Sequence, residues 1–173
     1  LNFGQAVFEI QVESEEERLS ENGFDKVRFL ISTNPGEPVR ELSQVASGGE
    51  LSRMMLALKT HLADKDEIGT LIFDEIDTGI SGRTAWKVSE KMGILAKGHQ
   101  LICITHLPQI AAMADTHFVI EKQVEDNRSI TRIRELGQEE SVEELARMLG
   151  GDVITESAIK NAQEMKELAG KTK

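Results

Sequence analysis

Apolar residues recur along this chain in two periods, and the changes of period divide it into elements. Between 6 and 13, AVFEIQVE alternates apolar and polar positions, and KVRFLIS at 26–32 repeats the alternation. A period of two in aromatic and β-branched residues predicts two strands. The charged stretch SEEERLSENG between them makes the pair a hairpin with a long polar connection. Pro35, Gly36 and Pro38 in NPGEP predict a loop. The period then changes. Leu51, Met54, Met55, Leu58 and Leu62 follow helical spacing, so a helix starting near Ser47 carries one apolar face.

The second half begins with short apolar runs. TLIFDE (70–75) and LICIT (101–105) predict buried strands, and RTAWKVSEKMGILA (83–96) between them places Ala85, Val88, Met92 and Leu95 at helical spacing. LPQIAAMA (107–114) predicts a short helix with Pro108 in its first turn. HFVIEK and SITRIREL predict later strands. SVEELARMLGG reads as a helix with a Ser141–Glu144 capping box and a glycine stop, and TESAIKNAQEMKELAG as a final helix capped by Thr155. Strand, helix, strand, helix, strand across 70–122 predicts an α/β fold with a mostly parallel sheet, right-handed crossovers and flanking helices. Ligands of such sheets gather beyond the carboxyl ends of the strands. One strand here runs into Asp74-Glu75 and another into Thr105-His106, so these polar groups converge if the two strands are neighbours.

Composition narrows the picture. The chain has 173 residues, enough for one domain, 1–173, or one lobe of something larger. With 30 acidic against 20 basic residues its formal charge is −10, which repels phosphate backbones and argues against a general nucleic-acid surface. Six Phe, one Trp and no Tyr leave a mainly aliphatic core. Cys103 is the sole cysteine, so no disulfide forms within the chain, and a reducing compartment is expected. No apolar stretch reaches the ~18 residues of a membrane span. The first ten residues lack the pattern of a secretory signal, and the start at Leu1 leads us to expect a segment of a longer gene product.

Four short stretches carry candidate chemistry. In Ser47-Gly48-Gly49-Glu50, Ser47 and Glu50 suit a capping box. The paired glycines, poor helix formers, suit something further: with no side chains there, an anion can approach the free N–H groups and partial positive charge of the helix start. The two roles are compatible. Asp74-Glu75 is either a strand running into a charged turn or a working pair. In the second case one carboxylate supports Mg²⁺, which prefers hard oxygen ligands, and the next orients and deprotonates a water. His106 is either a satisfied polar residue at a strand end or a donor to a phosphoryl group. DTGISG (77–82) suits a tight turn that also shapes the neighbouring site. The GKT at 170–172 is a decoy: the phosphate-cradling pattern GxxxxGK[ST] needs glycine at 165, where Met165 stands, and no strand precedes it. We expect a helix C-cap and basic tail there.

Taken in order, SGGE, an apolar strand ending in DE, D-x-G and a strand ending in TH resemble the C-terminal lobe of a P-loop ATPase head of the ABC/SMC-like type. VASGGELSRMMLALK, TLIFDEIDTGISGRTA and QLICITHLPQIAAMADTHFVIEK, with NPGEP upstream, resemble the RecN family of bacterial DNA repair proteins along nearly the whole chain. DEIDTGISG departs from the DEPT or DEAT followed by SALD of transporter ATPases, and from the D-x-x-LD turn of SMC and Rad50 heads. The resemblance implies ATP and Mg²⁺ as cofactors. Ser47, Gly48, Gly49 and Glu50 then match the signature motif that closes on the γ-phosphate of ATP held by the opposite head. Asp74 matches the Walker B acid that supports Mg²⁺, Glu75 the catalytic base, and Asp77 the D-loop at the head–head interface. His106 matches the switch histidine. Arg53 either supports the signature helix or covers it. The implied partners are an N-terminal P-loop lobe of the same protein and a second head in a homodimer, with DNA contacted by other parts and no membrane. Residues 1–5 would end a returning coiled coil. ATP hydrolysis in double-strand-break repair, in the cytoplasm at the nucleoid, is the implied activity, with the isolated lobe inactive. Another SMC or Rad50-type head, or a non-catalytic interaction module, are the alternatives.

Overall fold

A computed structural model describes residues 6–14, 19, 21, 23–32, 36–45, 47–62, 68–125, 128–151 and 153–172. The expected coil end at 1–5, Pro35 of the loop and most of the acidic stretch lie outside the described residues.

Strands β1 (Val7–Ser14) and β2 (Asp25–Ser32) form the expected antiparallel hairpin, in register from Val7 opposite Ser32 to Ser14 opposite Asp25. A two-residue strand, β3 (Arg40–Glu41), extends this sheet beside β2, and a single helical turn, α1 (Leu42–Val45), leads on to α2 (Gly48–Leu62). Residues directly opposite in an antiparallel pair share a face. Phe8, Ile10 and Val12 therefore lie with Ile31, Phe29 and Val27, and Phe8 stacks on Phe29 with ring centroids 6.0 Å apart. Among these, Ile31 alone is buried; the rest of this apolar face is open.

The central layer alternates as the sequence predicts: β4 (Thr70–Phe73), α3 (Gly82–Leu95), β5 (Gln100–Cys103) and the short α4 (Pro108–Ala111), which has Pro108 in its first turn. β4 and β5 pair in parallel, Thr70 beside Gln100 and Phe73 beside Cys103. The fold is mixed α/β, but its parallel part is smaller than expected. β6 (His117–Glu125), read as a third parallel strand, pairs instead with β7 (Arg128–Leu136) as an antiparallel hairpin in a separate sheet. Only two residues separate β6 from β7, which suits an antiparallel turn and excludes a crossover.

Helices α5 (Gln138–Gly150) and α6 (Glu156–Thr172) close the chain. Helix α5 starts three residues before the expected cap. Gly137 precedes it, the Glu140 carboxylate accepts the Gly137 N–H at 2.8 Å, and Ser141 lies inside the helix, almost fully buried. Gly151 just past its end takes φ 78°, a left-handed conformation that glycine adopts readily. Thr155 caps α6 as expected, its hydroxyl accepting the Ala158 N–H at 3.2 Å. Gly170, Lys171 and Thr172 continue α6 rather than capping it. This stretch is plain helix and cradles no phosphate.

Two apolar clusters hold these elements. Leu56, Phe73, Ile76, Val88, Met92, Leu95 and Ile110 join α2, α3, α4 and the parallel pair. Ala111, Met113, Leu145, Ala146, Ala162, Met165 and Ala169 join the end of α4 to α5 and α6. Of the apolar face that periodicity predicts, helix α2 buries Met54 and leaves the rest open. Gly49, Arg53, Met54 and Leu56 are buried, while Leu51, Met55, Leu58 and Leu62 are exposed. Leu51 and Met55 line an open apolar groove with Leu71, Ile72 and Phe73. β4 and β5, expected to be buried, are covered on one face: Ile72 and Ile102 remain exposed, as does Ile104 just past β5.

Candidate functional site

The parallel pairing of β4 and β5 decides where the polar strand ends lie. Backbone pairing continues one step past the strands, with Ile104 N–H donating to Phe73 C=O at 3.1 Å. Asp74-Glu75 and Thr105-His106 therefore leave the same edge. Asp74 and Glu75 are exposed, and the Asp74 carboxylate accepts the Glu75 N–H at 2.9 Å. Glu75 takes φ 55°, a conformation that non-glycine residues rarely adopt. Thr78 N–H closes the turn on Glu75 C=O at 3.0 Å.

Asp77 turns inward. Its carboxylate is buried and accepts from the Thr105 hydroxyl at 2.6 Å and the His106 N–H at 2.8 Å, with His106 Nδ1 at 3.0 Å. The resemblance matches Asp77 to the D-loop that crosses the head–head interface; its carboxylate bonds to Thr105 and His106 of its own chain. The His106 ring, 72% exposed, is held at the edge by that carboxylate.

Helix α2 supplies the third side. Ser47 and Glu50 form the expected capping box: the Glu50 N–H donates to Ser47 Oγ at 3.4 Å, and the Ser47 N–H to Glu50 Oε2 at 3.2 Å. Gly48 is exposed, and the Glu75 carboxylate occupies the space that a Cβ at Gly48 would take. Gly49 is buried against the backbone that follows β4. A Cβ there would lie 2.8 Å from the Glu75 carbonyl oxygen and 2.9 Å from Thr78 Cβ. The paired glycines thus let the helix start pack directly on residues 75–78.

Ser47, Gly48, Gly49, Glu50, Asp74, Glu75, Asp77 and His106 therefore meet at one end of the parallel pair. Three residues that hold them there were not singled out as contacts. Thr105 donates to Asp77. Ser52 Oγ donates to Asp74 C=O at 2.9 Å. Buried Arg53 donates through one nitrogen to Ile76 C=O at 3.1 Å and Thr78 C=O at 2.8 Å. Burial pushes the Arg53 guanidinium below its ordinary pKa, opposed by Glu50 and Asp77. The signal in the sequence was the spacing of Gly49, Arg53 and Leu56, which share a helical face.

Among the described residues no group of three or more His, Cys, Asp or Glu could hold a metal ion. Asp74 and Glu75 offer hard oxygens suited to Mg²⁺, but a cation there needs further ligands from water or a phosphate. The backbone N–H groups at the start of α2 suit an anion, and the Glu75 carboxylate already lies against Gly48 there. No helix among the described residues is long and apolar enough to cross a membrane.

No family model matches the chain. It is 49% identical over 156 residues to the DNA repair protein RecN of Bacillus subtilis, an alignment covering 90% of this chain and 27% of that protein. With RecN of Vibrio cholerae the identity is 45% over 165 residues, covering 95% of this chain and 30% of the relative. Among solved structures, an Smc head domain with coiled coil and joint from Pyrococcus yayanosii superposes with a TM-score of 0.58 at 21% identity, over 81% of this chain and 25% of that one. The Smc head of Pyrococcus furiosus, with an extended coiled coil and bound to the C-terminal domain of ScpA, gives 0.51 at 22% identity, over 82% of this chain and 34% of that one. The chain is thus a homologue of one segment of the RecN DNA repair proteins, with a fold like that of part of an Smc head domain.

Proposed function

We propose that the chain forms half of an ATP-hydrolysing head that works in DNA double-strand-break repair. One observation carries the reading: a helix start with Gly48 exposed and Gly49 packed beneath it, two adjacent carboxylates and a histidine converge on one open edge. Ser47, Gly48 and Gly49 bind the γ-phosphate of ATP held by a second head. Glu75 orients the attacking water and accepts its proton as the bond to the γ-phosphorus forms and ADP leaves. His106 donates a hydrogen bond to the γ-phosphoryl oxygens from the position Asp77 gives it. Mg²⁺ held through Asp74, with its remaining ligands from water and phosphate, supplies charge neutralisation. The sequence contains no GxxxxGK[ST]. The main phosphate cradle is therefore supplied by an N-terminal P-loop lobe of the same protein, and this chain by itself hydrolyses little ATP.

The open apolar surface supports that arrangement. The hairpin face around Phe8, Ile10 and Phe29, the exposed side of β4 and β5, and the outer stripe of α2 all leave large apolar side chains open. The P-loop lobe covers it. A split site makes ATP the link between two heads, because phosphate charge is fully neutralised only when both contribute. The acidic surface leaves DNA to other parts of the protein. The setting is the cytoplasm, at the nucleoid.

The test is the Glu75→Gln variant of the intact protein. Turnover should fall about a hundredfold or more while ATP-bound head pairs persist longer. Unchanged turnover and unchanged pair lifetime would remove Glu75 as the base. Ser47→Arg should abolish ATP-dependent pairing, and pairing at the unaltered level would remove the clamp. Failure of an added P-loop lobe to restore any hydrolysis would favour a non-catalytic module.

A further inference from the structure

We infer that Arg53 is a positioning residue that locks α2 to segment 74–78, so that the helix start and the carboxylate-bearing loop behave as one body. The inference rests on the nucleotide reading above, and it concerns how that site is held together.

Arg53 is an unusual choice for its place. It lies on the buried face of α2, four residues after Gly49 and three before Leu56, and is only 5% exposed. An aliphatic side chain would fill that space without stripping water from a guanidinium. Among the described residues Arg53 Nε meets no hydrogen-bond partner, so the burial is not fully offset. What the arginine adds is reach. One of its nitrogens spans the carbonyls of Ile76 and Thr78, gripping the backbone on both sides of Asp77.

Two neighbours extend the grip. One residue before Arg53, Ser52 holds Asp74 C=O. One turn earlier, Gly49 has no side chain and so admits the Glu75 carbonyl. The carbonyls of 74, 75, 76 and 78 are thus all met by three residues of one helix. Glu75 sits between the gripped points at φ 55°, and such a conformation persists only where its surroundings impose it. Beyond the grip, the Asp77 carboxylate carries the connection to His106. A chain of direct contacts therefore runs from the helix start to Glu75, Asp77 and His106, with Arg53 as its only buried cation.

Hydrogen exchange on the intact protein tests this without relying on turnover. Two amides report the lock: Thr78, bonded to Glu75 C=O, and His106, bonded to Asp77. In Arg53→Met, peptides covering 74–80 and 104–108 should exchange at least about tenfold faster, while peptides of the β6–β7 hairpin keep their rates. Arg53→Lys, which retains a donor, should recover part of the protection. If Arg53→Met does not fold, Arg53→Lys and Ser52→Ala carry the same comparison, each with a smaller but local increase. Unchanged rates at both peptides, or an equal rise in the β6–β7 hairpin, would overturn the lock.

The kinetic counterpart is a split. In Arg53→Lys, kcat should fall about tenfold or more with KM for ATP changed less than about twofold. A raised KM with unchanged kcat would overturn it. Failure of the two ideas is separable. Local exchange that rises in Arg53→Met while Glu75→Gln leaves turnover untouched keeps the lock and removes the base. Turnover lost in Glu75→Gln with exchange unmoved in Arg53→Met keeps the base and removes the lock.

Discussion

The carboxylate of Asp77 accepts the backbone N–H of His106 at 2.8 Å, across 29 residues of sequence. The same oxygen takes the Thr105 hydroxyl at 2.6 Å. The turn after β4 and the end of β5 are thus tied by a buried carboxylate as well as by packing. Asp77→Ala leaves the half-buried His106 N–H and Thr105 hydroxyl bonds without their acceptor and should cost about 1–3 kcal/mol of stability. Denaturant unfolding measures it, and a loss below about 0.5 kcal/mol, the range of ordinary surface changes, would show that the tie carries no weight. Asp77→Asn keeps an acceptor and should lose less.

The two signature glycines should differ in kind. At Gly49 a methyl group meets the Glu75 carbonyl at 2.8 Å and Arg53 Nη1 at 3.0 Å, neither of which yields easily. Gly49→Ala should destabilise by about 1–3 kcal/mol despite the better helix propensity of alanine. At Gly48 the obstacle is the end of the flexible Glu75 side chain, which can swing away. Gly48→Ala should therefore change stability by less than about 0.5 kcal/mol. Equal effects in denaturant unfolding would contradict this account of the pair.

Away from the site, His117 Nδ1 lies 2.9 Å from Ser141 Oγ, and the Lys166 ammonium donates to that same hydroxyl. Burial holds the His117 pKa below its ordinary 6.5; Lys166 pushes the same way, and Glu144 opposes both. A histidine with a lowered pKa favours the folded state while neutral. Its contribution is complete above about 6.5 and is lost as pH falls below that value. Thermal unfolding should show stability declining as pH falls below about 6.5, and His117→Gln should flatten that decline. A decline of unchanged size in the variant would assign it to other groups.

Cys103 should be inert. Burial, with Asp77 and Asp74 adding to it, pushes its thiol up to about 12. At about pH 8 only about one molecule in ten thousand then carries the thiolate. Alkylation by iodoacetamide should run about a thousandfold slower than for free cysteine and recover in denaturant. Rapid labelling of the folded chain would refute the burial argument.

Much of this molecule was legible from residue pattern. Alternation predicted β1 and β2, helical spacing predicted α3, and local chemistry set the Ser47–Glu50 box and the Thr155 cap. Such features rest on contacts within a few residues, which spacing encodes directly. The residues that meet at the strand edge were also named from sequence, since a short strand ending in acids brings its polar groups to one place whatever surrounds it. Pattern misplaced the features that depend on distant partners. It read HFVIEK as a third parallel strand, because an apolar alternation does not state which neighbour the strand takes. It found the apolar stripe of α2 but not that most of it stays open, because periodicity finds an apolar face without saying what covers it.

The sequence by itself thus determined the elements, their caps and which chemical groups stand at their ends. Tertiary structure alone decided that Asp77 turns inward to His106, that Arg53 is buried against residues 76–78, and that Gly49 admits a carbonyl. Each of these depends on two segments more than twenty residues apart meeting at hydrogen-bond or van der Waals distance. That distance is set by the packing of α2 and the parallel pair around Leu56, Phe73 and Ile76, and no local pattern contains it.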